Sequence, residues 1–105
     1  MMKRAEARKQ PLYVSEVVLC ELVWVLETSY GVARAEIASN IANLLRARQL
    51  VFRSTDVVAR ALGAYRAGRG DFADYLIREE ARAAGADAVA TFDKALLRDE
   101  GFRLP

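Results

Sequence analysis

Val17-Val18-Leu19-Cys20-Glu21-Leu22-Val23-Trp24-Val25-Leu26 is the most apolar stretch of the chain: nine apolar residues interrupted only by Glu21. A carboxylate there is costly to bury alone, because an unpaired charge in a dry interior either neutralises or takes a cation. Two further acids sit where a folded chain can bring them alongside it. Asp74 lies in Gly70-Asp71-Phe72-Ala73-Asp74-Tyr75-Leu76-Ile77, and Asp93 closes Ala88-Val89-Ala90-Thr91-Phe92-Asp93. The reading is that Glu21, Asp74 and Asp93 meet at one divalent-metal site.

Working outward, Ser15 is placed to cap a helix through this stretch, with a stop near Gly31. That helix is apolar on nearly all sides and is expected to be buried on several faces. Before it, Pro11 opens a short strand, Leu12-Tyr13-Val14. After it, Ile37, Ile41, Leu44 and Leu45 recur at helical spacing, predicting a helix over about 34–48. Leu50-Val51-Phe52 reads as a brief strand. A third helix starts at Thr55 or Asp56 and carries Val57, Val58, Ala61, Leu62 and Tyr65 on one face. Asp71 is a good N-cap for a fourth helix ending at Gly85. Residues 88–92 and 102–104 read as strands, and residues 1–10 as the tail of a helix or a loose end. Short strands alternating with helices predict an α/β fold with a mostly parallel sheet covered on both faces. In such sheets the site lies at the carboxyl ends of the strands, where Asp93 falls.

The 105 residues make a single domain, with no room for a second core. A hydrophobic fraction of 53% beside 29% charged residues fits a soluble globular protein, and no apolar run approaches the length of a membrane span. The basic N-terminus (Lys3, Arg4, Arg8, Lys9) is followed by no apolar signal region. One cysteine, Cys20, forms no intrachain disulfide, which fits a reducing cytoplasm; a buried small hydrophobe is its plain role. The complete lack of histidine removes Ser-His-Asp and Cys-His catalysis and the usual zinc sites. Carboxylates remain as the chemical resource, and oxygen-only ligands suit Mg²⁺ or Mn²⁺. A net charge of +2 is compatible with a phosphate-bearing partner.

Each acid has a plainer alternative. Glu21 could reach solvent or pair with an arginine. Asp71 could serve only as an N-cap, and Asp74 could pair with Arg78 one turn on. Asp93 could cap the turn Lys94–Arg98, a role compatible with metal ligation. Thr91, on the same side of the strand, could hydrogen-bond a carboxylate or a metal-bound water. Convergent carboxylates holding one or two Mg²⁺ are what metal-assisted phosphodiester hydrolysis needs. Arg66 and Arg69, in Tyr65-Arg66-Ala67-Gly68-Arg69-Gly70-Asp71, lie beside Asp71, placed to grip a substrate backbone or else part of a solvated basic turn. Glu6, Glu16, Glu27, Glu36, Asp56, Glu79, Glu80, Asp87, Asp99 and Glu100 read as surface charge.

Three segments in series, Leu12 to Leu26, Gly70 to Ile77 and Ala88 to Leu96, give the chain a resemblance to the PIN-domain ribonucleases, specifically the VapC-like toxins of toxin–antitoxin pairs. The likeness covers residues 11–105. It implies a three-layer α/β/α fold with a mostly parallel sheet and Mg²⁺- or Mn²⁺-dependent endonucleolytic cleavage of RNA. It places three of the family's acids on Glu21, Asp74 and Asp93, with Thr91 as polar neighbour and Asp71 as an accessory acid. The partners it implies are a cognate VapB-like antitoxin, which enters the acidic cleft, and a second copy in a homodimer. The family opens with a strand ending in Asp-Thr-Asn or similar, whose aspartate is the first metal ligand. Met1-Met2-Lys3-Arg4 instead reads as the interior of the following helix, so the expectation is a domain shortened at its N-terminus, lacking that strand and ligand. A catalytically inactive module that still binds an antitoxin, and a non-functional fragment, are the alternatives.

Overall fold

A computed structural model describes residues 10–105. The readings made for residues 1–9, and for a strand before them, lie outside the described residues. The elements run β1 (Leu12–Tyr13), α1 (Glu16–Thr28), α2 (Arg34–Arg46), β2 (Leu50–Val51), α3 (Thr55–Ala67), α4 (Phe72–Ala83), β3 (Val89–Ala90), a 3₁₀ turn (Leu96–Arg98) and β4 (Phe102–Arg103). This is a mixed α/β chain with short parallel sheets, as expected for the three-layer α/β/α arrangement.

Local chemistry sets the boundaries. The Val18 N–H donates to Ser15 Oγ at 3.1 Å, which satisfies one of the orphan donors at the start of α1. Gly31 leaves that helix at φ +61°, a left-handed conformation that costs glycine little. α3 starts at Thr55, as expected, and is capped by Ser54 through a 3.1 Å bond from the Val57 N–H. Asp71 occupies the N-cap of α4 as expected, but its side chain accepts no capping bond from the helix. Gly85, at φ +94°, follows the end of α4.

The strands are shorter than the sequence suggests, two residues each rather than three to five. They form two separate parallel pairs: Leu12 opposite Leu50 and Tyr13 opposite Val51, then Val89 opposite Phe102 and Ala90 opposite Arg103. Both residues of β1 are exposed. The core is therefore helical. Leu19 and Val23 of α1, Ile37 and Ile41 of α2, Val58, Leu62 and Tyr65 of α3, and Phe72, Tyr75 and Leu76 of α4 are buried together. Tyr65 meets Phe72 edge-on with ring centroids 5.8 Å apart, an arrangement favoured by the ring quadrupoles. Phe102 and Leu96 close the far side against Tyr75 and the start of α4.

One expectation for α1 fails. Only Leu19 and Val23 are buried, while Val17, Val18 and Trp24 stand exposed, Trp24 at 63%. Among the described residues the helix packs against α2 and α4, and these cover one stripe of it. The opposite error concerns Glu79, read as surface charge. It is 4% exposed and accepts from Arg78 Nε and Arg82 Nη1, each at 3.0 Å. Arg78 in turn donates to the Glu100 carbonyl at 2.7 Å and stacks over Tyr75 and Phe102. A buried carboxylate is tolerated when paired and hydrogen-bonded in this way.

Candidate active site

The first turn of α4 carries the most buried of the candidate acids. Asp74 is half-buried, three residues after the N-cap, where the positive end of the helix dipole favours a carboxylate. Burial nonetheless raises its carboxyl above the ordinary aspartate range. The charge of Asp71 and, more weakly, that of Asp93 push the same way, against the pull of the Asp71 backbone N–H. Asp71, Asp74 and Asp93 therefore lie in one electrostatic field although β3 and a helix separate them in sequence. Cys20 of α1 joins this neighbourhood: burial raises its thiol, and Glu16 and Asp74 add to the effect.

Asp93 sits after β3 and is exposed. Its Oδ1 accepts the Ala95 N–H at 2.9 Å in a local turn; the expected cap of a helix over Lys94–Arg98 is not formed, since the 3₁₀ turn starts after Ala95 and takes no side-chain cap. Its own N–H donates to Thr91 Oγ1 at 3.0 Å, so Thr91 orients the Asp93 backbone; the foreseen bond from Thr91 to a carboxylate is not formed. Asp74 makes no pair with Arg78, which is committed to Glu79. Arg66, in the last turn of α3, and Arg69, within the link before Asp71, are both exposed.

Glu21 departs furthest from its expected setting. It is exposed and lies on the wall of an open groove of about 490 Å³ between α1 and α4. Val17, Cys20 and Trp24 supply one wall; Ala73, Leu76 and Ile77 supply the other. The groove is almost wholly apolar, so the chemistry belongs to its margin, where Ala73 leads directly to Asp74. At the opposite margin, Arg53 approaches Glu16 at 3.6 Å and Glu80 at 3.0 Å. Trp24 and Cys20 also border a small cavity of about 70 Å³ shared with Glu27 and Asp71.

The three expected ligands are thus gathered unequally. Among the described residues no group of three Asp, Glu, Cys or His side chains stands close enough to hold a metal ion. The donors are of the hard-oxygen type that Mg²⁺ and Mn²⁺ take, but Asp74 alone is partly withdrawn from water, while Glu21 and Asp93 turn outward. Mg²⁺ often keeps several waters and relies on one or two carboxylates plus substrate phosphate, so this donor set suits an open site and not a closed cage.

Two residues near the site escaped the sequence reading. Glu27 accepts from the Tyr65 hydroxyl at 2.6 Å, and Asp99 accepts from the Tyr75 hydroxyl. The sequence marks both only as surface charge. Neither carries a local signal, because each partner is more than twenty residues away in the chain.

No helix among the described residues is long and apolar enough to cross a membrane. No curated protein and no solved structure matches the chain significantly. The family model described as PIN domain matches residues 2–100, nearly the whole length, so the chain belongs to the PIN-domain family, whose members are nucleases that act on nucleic acids and generally use divalent metal ions.

Proposed function

We propose that this PIN domain is a VapC-like endoribonuclease, the toxin of a toxin–antitoxin pair, working in the cytoplasm on RNA with Mg²⁺ or Mn²⁺. The observation that supports it most is the PIN-domain match over residues 2–100, beside a half-buried Asp74 at the first turn of α4 within the field of Asp71 and Asp93. Asp74 would anchor the cation, and Glu21 and Asp93, with Asp71 as an accessory acid, would complete its shell only by moving towards it, since no three of these acids stand close enough as placed. Bound there, a divalent cation supplies an activated water and neutralises charge on the phosphate. The chain's own contribution is placement. The first turn of α4 presents Asp74, Thr91 holds the backbone that carries Asp93, and Arg66 and Arg69 offer exposed guanidinium groups to the RNA backbone. A VapB-like antitoxin and a second copy of the chain are the protein partners of this reading.

The test is cleavage of single-stranded RNA by the purified chain with Mg²⁺ or Mn²⁺, with and without EDTA. EDTA-sensitive cutting that disappears in Asp74→Asn is expected. Cutting that survives both EDTA and Asp74→Asn would overturn the assignment.

A second reading is a catalytically inactive module that binds an antitoxin. It is favoured by the lack, among the described residues, of any three-donor metal group, and by the open apolar groove between α1 and α4. Retained antitoxin binding with no cutting under any metal condition would select it.

A further inference from the structure

Gly68-Arg69-Gly70 is a short link between α3 and α4, and it is held on both sides. Arg34, the first residue of α2, reaches it from one side. Its Nε donates to the Tyr65 carbonyl at 2.8 Å and its Nη2 to the Gly70 carbonyl at 2.5 Å. The guanidinium lies 3.9 Å from the centroid of the Tyr65 ring. The Tyr65 carbonyl belongs to the last turn of α3, where helix carbonyls lack intrahelical partners, and a cation there also meets the negative end of the dipole. From the other side, the Gly70 N–H donates to the Tyr75 hydroxyl at 2.9 Å, and that hydroxyl donates to Asp99. Both backbone polar groups of Gly70 are therefore fixed by side chains, immediately before Asp71.

The link also has no room to move inward. A Cβ at Gly68 would lie 2.0 Å from the Tyr75 hydroxyl oxygen, and one at Gly70 2.5 Å from Leu96 Cδ2. The clamp extends to α1 through the bond from Tyr65 to Glu27, so all four helices meet around this turn.

We infer that Arg34 is a positioning residue for the acid-bearing start of α4: by fixing Gly70 against the end of α3, it sets where Asp71 and Asp74 stand. The inference rests on the nuclease reading for its functional meaning, because Asp74 is the acid that reading depends on. Arginine is required, since the role combines two divergent N–H donors with a planar face stacked on an aromatic ring. Lysine carries its donors on a single nitrogen at the end of a flexible stem, so it supplies neither a fixed fork spanning both carbonyls nor a planar face for the ring. Misplacement of a reacting group by about 1 Å can cost about a hundredfold in rate, so a modest shift of this turn is enough to matter.

The experiment compares the full chain with Arg34→Ala and Arg34→Lys, each shown to be folded by circular dichroism at the temperature used. Mn²⁺ affinity is read by electron paramagnetic resonance, RNA cleavage by gel, and local opening by amide hydrogen exchange. Both variants are expected to weaken Mn²⁺ binding and cleavage by about tenfold or more. Millimolar guanidinium should restore Arg34→Ala, which leaves a space of matching shape over Tyr65, and should not restore Arg34→Lys. Exchange protection at Gly70 should fall in both variants while protection at Ile41 and Leu62 holds. Folded variants with wild-type Mn²⁺ affinity, cleavage and Gly70 protection overturn the inference and leave Arg34 a stability residue only. A wild type that binds no Mn²⁺ and cuts no RNA defeats the nuclease reading instead. The exchange result then decides the positioning by itself: selective loss at Gly70 upholds it, and unchanged protection overturns it. Should Arg34→Ala fail to fold, Arg34→Lys carries the same comparison.

Discussion

α1 and α4 face each other across one groove and invert what their compositions suggest. α1 is the most apolar segment of the chain, yet it buries only Leu19 and Val23 and leaves Val17, Val18 and Trp24 in solvent. α4 is rich in charge, yet it buries Phe72, Tyr75, Leu76 and the ion pair Arg78–Glu79. Composition states what a helix could bury; the neighbours it finds decide what it does bury. α4 lies against α3 along its length and receives Leu96 and Phe102 from beyond β3, whereas α1 meets α2 and α4 along one stripe. The acids follow the same division. Asp74, on the well-packed helix, is drawn partly out of water, and Glu21, on the sparsely packed one, faces it.

The largest expected effect breaks α4. Glu79→Ala removes the shared partner of Arg78 and Arg82 and leaves the Arg78 guanidinium buried without its carboxylate. Removing one member of a buried pair costs about 3–5 kcal/mol, so a urea melt of this variant should show most of the stability gone. Glu79→Met, which keeps the volume but still orphans Arg78, should be nearly as damaging.

Asp74→Asn separates function from stability on the same helix. RNA cleavage should drop about a hundredfold or more, in line with losing a group that acts in the transition state. Stability should move the other way. The folded Asp74 carboxyl is raised above its unfolded value, so its contribution is most favourable below the ordinary aspartate range and is lost as pH rises through the folded pKa. The asparagine variant should therefore melt higher than wild type at neutral pH, and the gain should vanish in acid. A variant that melts lower at pH 7 would show that Asp74 is stabilised by contacts outweighing its burial. Gly68→Ala is a smaller perturbation of the same end of α4. Its added methyl must push the Tyr75 hydroxyl off the Gly70 N–H, at about 1–3 kcal/mol, measured by the same melt.

The sequence reading recovered the elements whose cause is local. The Ser15 cap, the Ile37 and Ile41 spacing, the buried face from Val57 to Tyr65 and the chain reversals at Gly31 and Gly85 all follow from neighbours within a turn or two. It missed what depends on distant partners. The Arg34 clamp joins residues 31 and 36 positions apart, and no periodicity announces it. The exposure of α1 could not be read either, because hydropathy records no missing neighbour. Glu79 is a different kind of miss. Phe72, Tyr75, Leu76 and Glu79 fall at i, i+3, i+4 and i+7, so Glu79 stands on the buried stripe of α4, and the adjacent Arg78 with Arg82 supplied its partners. That spacing is legible in the sequence and marks Glu79 as a residue of the buried stripe. For the candidate site, the sequence picked out acids that share a field, Asp71, Asp74 and Asp93, while the enclosure expected around Glu21 required helices that the described chain does not place there.

The smallest expected effects lie on α1, and they sharpen the contrast most. Glu21→Gln and Trp24→Ala change residues with little burial to lose, so each should shift the urea melt by no more than about 0.5 kcal/mol. The same truncation at Leu19, fully buried one turn earlier, should cost about 2–5 kcal/mol. Trp24 is the sole tryptophan, so intrinsic fluorescence reports on this face directly. In the isolated chain its emission should be red-shifted and readily quenched by iodide. If iodide fails to reach it, something outside residues 10–105 covers α1, a second copy included, and the imbalance between the two helices is a property of the described residues alone. If quenching is efficient and stays so at high protein concentration, the open groove belongs to the folded domain, and the weak enclosure of Glu21 follows from it.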